Sequence, residues 1–278
     1  MKKIAVLMTV YNRKDKTIKC LDCLYDCVLP SGYSFDVFLT NDGCTDGTPQ
    51  AVENKYPRVH ILQGNGNLFW ARGMRVAWEE AAKCDYDYYL WLNDDTFLFK
   101  DALENILSTS ENVGDRAVLV GATKSINNGV CTYGISVNGK LLIPDGNIQE
   151  GYEMNGNFVL ISRTVYQVLG NIDLHYHHAG GDTHYGLLAK KNGIPVYLIE
   201  KYIGTCESHE KPAKWTDPDV PFIERWRDLN RPNGMPLGML FYQQRTFYGL
   251  HIAVFHLITT VLRCCFPRLY QKAKKISN

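Results

Sequence analysis

Tyr88-Tyr89-Leu90-Trp91-Leu92-Asn93-Asp94-Asp95-Thr96 is the stretch on which the reading of this chain turns. Five apolar or aromatic residues in a row suit a strand buried on both faces, as the central strands of parallel sheets are. The run stops abruptly at one amide and two carboxylates. Neighbouring carboxylates at the mouth of a core repel each other, so a cation is expected beside them, most simply a hard divalent ion with oxygen ligands. Open α/β sheets bind ligands just outside the carboxyl ends of their strands. The alternative makes Asp94 and Asp95 the opening of a turn, or a cap on the helix that starts near Asp101.

Working outward, the first half of the chain alternates strand and helix patterns, the signature of βαβ units and a mainly parallel sheet. Residues 4–10 form a near-continuous apolar run that breaks at Tyr11-Asn12-Arg13. Residues 14–27 have helical spacing, with Ile18, Leu21 and Leu24 on one side. A second strand over 35–39 ends at Thr40-Asn41-Asp42-Gly43, and a third is expected over 59–62. Gly64-Asn65-Gly66-Asn67 then leads into a helix over 68–83. Three strands therefore end in polar loops: 9–13, 41–46 and 93–96. Parallel strands place their carboxyl ends on one edge, so loops far apart in sequence converge on one crevice.

After residue 115 the pattern changes. Strands are expected over 117–122, 157–161 and 195–199, with Asn138-Gly139 as a hairpin signal inside an alternating stretch. Gly180-Gly181-Asp182 introduces a helix over 183–191, which Asn192-Gly193 stops. No repeat, low-complexity tract or linker is visible, so one compact unit with two functional halves is expected. Residues 250–262 are an apolar run too short to cross a bilayer, which takes ~20 residues, and Arg263, Arg268, Lys272, Lys274 and Lys275 follow. This tail reads either as a membrane-surface helix or as a helix packed on its own domain or on a second copy of the chain.

Composition narrows the classes. With 278 residues, 45% hydrophobic and 21% charged, the chain is globular and long enough for a sizeable core. A net charge of +1 gives no global field for nucleic acid, which is not expected as a partner. Nine cysteines with no apolar signal segment ahead of them read as free thiols in a reducing cytoplasm. Cys20, Cys23 and Cys27 lack a fourth partner nearby and read as small buried hydrophobes instead of a metal cluster.

Taken together, Thr9-Val10-Tyr11-Asn12-Arg13, Asn41-Asp42-Gly43-Cys44-Thr45-Asp46-Gly47-Thr48 and Asn93-Asp94-Asp95 resemble family 2 glycosyltransferases of the GT-A fold. The likeness covers roughly residues 3–210. Asn41 stands where the family usually has an acidic residue, and Cys44 replaces a common serine. The resemblance implies an α/β fold of GT-A type, a mainly parallel twisted sheet flanked by helices. It implies that Thr9, Tyr11, Asn12, Arg13 and Asp42 hold the base and ribose of a nucleoside-diphosphate sugar. Arg72 and Asn93 are also expected on the nucleotide side, a solvated helix charge being the other reading of Arg72. Asp95 is then the direct ligand of Mg²⁺ or Mn²⁺, Asp94 holds the ribose or a metal-bound water, and His209 is a further metal-side ligand or a surface loop histidine. Asp182 matches the aspartate of the family's catalytic pair, with Gly181 in place of the glutamate, so Asp182 is the expected general base, or else a helix cap. Asn157 and Trp70 are expected against acceptor or sugar.

These assignments predict a donor half over 1–115, an acceptor half of the same domain over 116–230, and a helical tail over 231–278. The reaction implied is inverting transfer of a hexose or deoxyhexose to a glycan or lipid-linked acceptor in surface polysaccharide synthesis. It would take place in the cytoplasm at the inner face of the membrane. A nucleotidyltransferase is the rival enzyme, but the glycine- and lysine-rich phosphate loop it needs after the first strand is missing. A nucleotide- or carbohydrate-binding protein of the same fold without activity is the rival outside enzymes. The glycines at 64 and 66 do not complete a dinucleotide fingerprint.

Overall fold

The computed structural model describes residues 1–208 and 213–270, and the chain divides into two units. The first comprises 1–174 with 180–208; the second is drawn from 175–179 and 209–278. The second unit thus begins ahead of residue 231, with no change of composition to mark the join.

In chain order the first unit opens with β1 (Lys2–Val10), α1 (Lys14–Tyr25), β2 (Tyr33–Asn41), α2 (Thr48–Lys55) and β3 (His60–Gln63). It continues through α3 (Phe69–Ala81), β4 (Tyr88–Leu92), β5 (Phe97–Leu98), α4 (Ala102–Asn112) and β6 (Val118–Lys124). Short strands β7 (Cys131–Tyr133), β8 (Ile135–Val137), β9 (Lys140–Leu141), β10 (Gln149–Glu150) and β11 (Glu153–Met154) follow. The unit closes with β12 (Phe158–Ser162), α5 (Arg163–Leu169), α6 (Gly181–Lys191) and β13 (Val196–Thr205).

The main sheet runs β10-β13-β6-β12-β4-β1-β2-β3, with β5 and β7 paired at its side. β1, β2, β3 and β4 are parallel, β12 is antiparallel to both β4 and β6, and β13 is parallel to β6. Since two reversals restore direction, β6 and β13 point the same way as β4. Only β10 and β12 on that path oppose the rest, so this is an α/β fold with a mixed, mostly parallel sheet. Ile4 to Met8 and all of β4 are buried, as an unbroken apolar run requires when both faces are covered. On α1 the buried positions are Thr17, Cys20, Leu21 and Leu24; on α3 they include Ala71, Met74, Ala77, Trp78 and Ala81, each one helical stripe. None of the nine cysteines is in a disulfide.

Element bounds move little from the sequence reading except at β13. Glu200 and Lys201 interrupt its apolar run, yet pairing of Gly204 and Thr205 with β5 carries the strand on to Thr205. Asn138 and Gly139 have φ of 52° and 73° and join β8 to β9 through a two-residue turn, the left-handed pair that such hairpins need.

The second unit holds α7 (Phe222–Asn230), α8 (Leu237–Tyr248) and α9 (Leu250–Cys265), with Trp215, Leu229 and Cys264 as its small core. Buried Arg225 of α7 donates through Nε to the Cys264 carbonyl at 2.9 Å and through Nη2 to the Cys265 carbonyl at 3.4 Å. A cation on the last carbonyls satisfies orphan acceptors and complements the helix dipole, which ties α9 to α7.

Candidate active site

The register fixes which residues meet. Val10 lies opposite Asn41 and Leu7 opposite Trp91, so the loops after β1, β2 and β4 leave from one edge. Because β12 is antiparallel and starts with Phe158 opposite Leu92, the residues before it, 155–157, arrive at the same edge. β13 runs parallel to β6 and so brings Cys206 there as well.

Arg13 is the cation that the two carboxylates hold in this structure. Its Nη1 lies 3.1 Å from Asp94 Oδ1 and 2.7 Å from Asp95 Oδ2. Both aspartates are buried, 5% and 6% exposed, whereas the Arg13 side chain is 43% exposed. Thr17 of α1 donates to the other oxygen of Asp94 at 3.4 Å. Burial, partly offset by Arg13 and reinforced by the charge of Asp95, pushes Asp94 up to about 6. The Cys206 thiol, 3.7 Å from Asp95 Oδ1, is pushed up to about 12 by burial and by Asp95, so it adds no further negative charge.

The second loop is stitched to the first. Asn12, at φ 50°, accepts from the Thr45 N–H at 2.7 Å, while Asp46 accepts from the Lys14 N–H at 2.9 Å. A cleft of about 400 Å³ lies here, lined by Asn12, Arg13, Lys14, Asp15, Lys16 and Asp46. Lys14 and Lys16 begin α1, where cations oppose the helix dipole and an anion is favoured. The sequence reading passes over both, although Asn12-Arg13-Lys14-Asp15-Lys16 shows the clustering.

Asp42 is buried, and its two oxygens already carry three backbone donors. Gly66 N–H reaches Oδ1 at 2.8 Å; Leu68 and Phe69 N–H reach Oδ2 at 2.9 Å each. Its carboxylate therefore holds the 64–69 loop and the start of α3, and any base or ribose contact would share these oxygens. Asn41, the departure from the usual acidic residue, donates to Gln63 Oε1 at 2.9 Å and accepts from Cys44 N–H at 2.8 Å. Thr9 is half-buried against α3, where a methyl on Gly73 would overlap its side chain. Tyr11 is exposed. Arg72 donates to the Leu174 carbonyl at 3.2 Å, while its Nε is buried with no hydrogen bond.

Asp182 joins the same edge through residues 155–157. Gly156 N–H donates to Asp182 Oδ2 at 3.0 Å and Thr183 N–H to Oδ1 at 2.8 Å. The residue in the cap position of α6 is Gly180, at φ 82°, so Asp182 sits in the first turn. Burial raises its pKa against the lowering effect of those two N–H donors. Asn157 is 5% exposed, accepts through its carbonyl from the Asn93 N–H at 3.0 Å, and faces Thr96 Oγ1 at 3.4 Å. Asn93 Oδ1 accepts the indole N–H of half-buried Trp70 at 2.7 Å. Trp70 in turn fills the space beside Gly156 that a methyl would need. A short path of contacts thus runs from Asp182 through Gly156, Asn157 and Asn93 to Asp94 and Asp95. Trp91 is fully buried against Trp70, Trp78 and Tyr185 and belongs to the core.

For a divalent ion the donor chemistry fits. The carboxylates of Asp94 and Asp95 are hard oxygen donors already gathered around one positive group, Arg13. Among the described residues no set of three His, Cys, Asp or Glu is arranged to hold an ion by itself. An ion that shares its shell with phosphate oxygens and water needs only one or two protein carboxylates. His209 lies outside the described residues.

Comparison with known proteins agrees with this architecture. Among solved structures, TarS 1–349 of S. aureus in complex with UDP-GlcNAc superposes with a TM-score of 0.61 at 14% identity, over 98% of this chain and 92% of that one. The mannosyltransferase PcManGT of Pyrobaculum calidifontis in complex with GDP-Man and Mn²⁺ gives a TM-score of 0.55 at 15% identity, over 99% and 79%. Against a longer TarS chain the TM-score is 0.58 at 14% identity, covering 90% of this chain but 43% of that one. At such identities the likeness establishes the fold alone. No curated protein matches the chain. Residues 5–158, more than half of the sequence and all three polar loops, match the family described as Glycosyl transferase family 2, and the chain belongs to that family.

Proposed function

We propose that the chain transfers a sugar, with inversion, from a nucleoside diphosphate to a hydroxyl of a glycan or lipid-linked acceptor. The observation that carries this reading is the path of contacts joining Asp182 to Asp94 and Asp95 at one sheet edge. Along it, a carboxylate of raised pKa lies near a pair of carboxylates that gathers positive charge. Residues 1–115 supply the donor side, with Tyr11, Asn12, Asp42 and Arg72 around the nucleoside and Arg13, Lys14 and Lys16 beside the diphosphate. Residues 116–230 supply the acceptor side through Asn157 and Asp182.

Asp95, helped by Asp94, would hold Mg²⁺ or Mn²⁺, which when bound neutralises charge growing on the departing diphosphate. Arg13, exposed enough to swing, yields its place between the carboxylates and turns to the phosphate oxygens. Asp182 accepts the proton of the acceptor hydroxyl as its oxygen bonds to the anomeric carbon from the face opposite the diphosphate. The bond from the anomeric carbon to the phosphate oxygen breaks, and its electron pair leaves with the nucleoside diphosphate. Gly156 N–H and Thr183 N–H keep the base aimed. Trp70, tied to Asn93, closes the side toward the core and can meet the sugar ring.

Asp182 acting as base suits direct displacement with inversion, which passes through no covalent intermediate. A role in surface polysaccharide assembly at the cytoplasmic face of a membrane agrees with a lipid-linked acceptor. The test is incubation with a panel of nucleoside-diphosphate sugars, Mn²⁺ and candidate acceptors, followed by release of nucleoside diphosphate and by the product anomer in proton NMR. Acceptor-dependent release with an inverted anomer supports the proposal; a retained anomer, or pyrophosphate released from a nucleoside triphosphate, contradicts it.

A further inference from the structure

The second unit carries a face that the transfer reaction does not use. On α9, Leu250, Val254, Phe255, Ile258 and Leu262 lie along one side of the helix, and Phe266 and Leu269 continue the line. Each is between 40% and 65% exposed. No charged residue occurs in α9 before Arg263. An exposed apolar stripe of this kind, interrupted by His251 in the first turn of the helix, marks an interaction surface, since soluble chains mostly bury such faces.

Charge identifies what covers it. Residues 229–278 contain seven basic residues and no acidic one; the preceding 228 hold 23 basic against 29 acidic, so a chain that is nearly neutral overall is strongly polarised. Of the seven, Arg263 lies at the end of the stripe, stacked 4.5 Å over the Tyr270 ring, and Arg268 is exposed one turn further on. Arg268 has Asp219 at 3.6 Å; both are largely exposed, a pairing of little strength in water. Around Arg263, Leu262, Phe266, Leu269 and Tyr270 wall an apolar groove of about 410 Å³ with the guanidinium at its rim. No helix among the described residues is long and apolar enough to cross a membrane.

We infer that α9 and the groove after it dock on an anionic lipid bilayer, the helix lying in the interface with its stripe among the acyl chains. Arg263 and Arg268 then face phosphate headgroups. Apolar burial and cationic attraction act together, the pairing that stable attachment without a spanning helix requires. A second copy of this chain would bring a like-charged segment against this one, so the same charge that favours lipid disfavours self-association through this face.

Co-sedimentation of the full chain with vesicles decides the matter. Equimolar phosphatidylglycerol and phosphatidylcholine vesicles should pellet the protein at ~0.15 M salt and lose most of it at ~1 M, while pure phosphatidylcholine should retain little. Ile258→Glu with Leu262→Glu should weaken binding by about tenfold or more, at an unchanged melting temperature because both side chains are exposed. Arg263→Gln and Arg268→Gln should each cost about fivefold on anionic vesicles only, an arm that does not disturb the helix face. Failure to pellet with anionic vesicles overturns the inference. So does a dimer, by light scattering, that the Ile258→Glu, Leu262→Glu chain no longer forms. Neither readout requires transfer activity.

Discussion

Replacing Asp94 by asparagine should stabilise the protein at neutral pH while damaging its site. Burial raises the Asp94 carboxyl from 3.8 to about 6 in the folded chain. The folded state therefore holds this proton more tightly than the unfolded state does, and folding stability falls as pH rises from the lower value through the upper one. At 1.36 kcal/mol per unit, the ionised Asp94 costs about 3 kcal/mol above pH ~6. The amide of the variant cannot ionise and still leaves Arg13 paired with Asp95. The stability of Asp94→Asn relative to wild type should therefore climb by about 3 kcal/mol between pH ~4 and pH ~7, then level off. Urea melts of both proteins in a chelating buffer, at successive pH values across that range, measure this difference directly, because the distant carboxylates titrate alike in the two chains. A difference that is flat with pH, or that falls, refutes the reasoning from burial. The same variant should bind nucleoside diphosphate with Mn²⁺ more weakly, since a site that concentrates negative charge trades stability for function.

Arg13→Gln leaves two buried carboxylates without the cation between them. Breaking such a pair outright costs about 3–5 kcal/mol in a dry interior, and the half-exposed Arg13 side chain reduces this to about 1–2 kcal/mol. Denaturant melts without metal should show that loss, and Mn²⁺ should restore more stability to Arg13→Gln than to wild type; equal restoration would mean that ion and guanidinium do not compete. Gly156→Ala should cost about 1–3 kcal/mol by overpacking, because its methyl collides with Trp70, and should abolish transfer by releasing Trp70 from Asn93 and shifting the backbone that holds Asp182. Thermal melts with tryptophan fluorescence check this, an unchanged spectrum and activity being the contrary result.

Much of the fold is legible in the sequence, for a definite reason. β1, β2 and β4 are apolar runs that end in polar loops, and a run of that kind reports burial on both faces whatever follows it. Asn138-Gly139 specifies its hairpin because few residue pairs accept two left-handed conformations. Strand direction is not legible: residues 118–124 and 158–162 are equally apolar, and nothing in either says that β12 runs against its neighbours. That reversal is what delivers Asn157 and Gly156 to the site. Nor can spacing show that Arg13 pairs with carboxylates 81 and 82 positions away, or that Asp42 commits its oxygens to Gly66, Leu68 and Phe69. Partners across a sheet are chosen by register, which only the folded chain displays. Of the second unit, the apolar run of α9 is visible in the sequence, whereas nothing there sets residues 175–179 or 209–230 apart from the first unit.

Calorimetric titration of a nucleoside diphosphate with Mn²⁺ into wild type, Asp95→Ala and Asp182→Asn tests the division of labour most directly. Asp95→Ala should lose metal-dependent binding, whereas Asp182→Asn should bind like wild type and fail only in transfer. Equal loss of binding in both variants, or undiminished metal-dependent binding in Asp95→Ala, would contradict it.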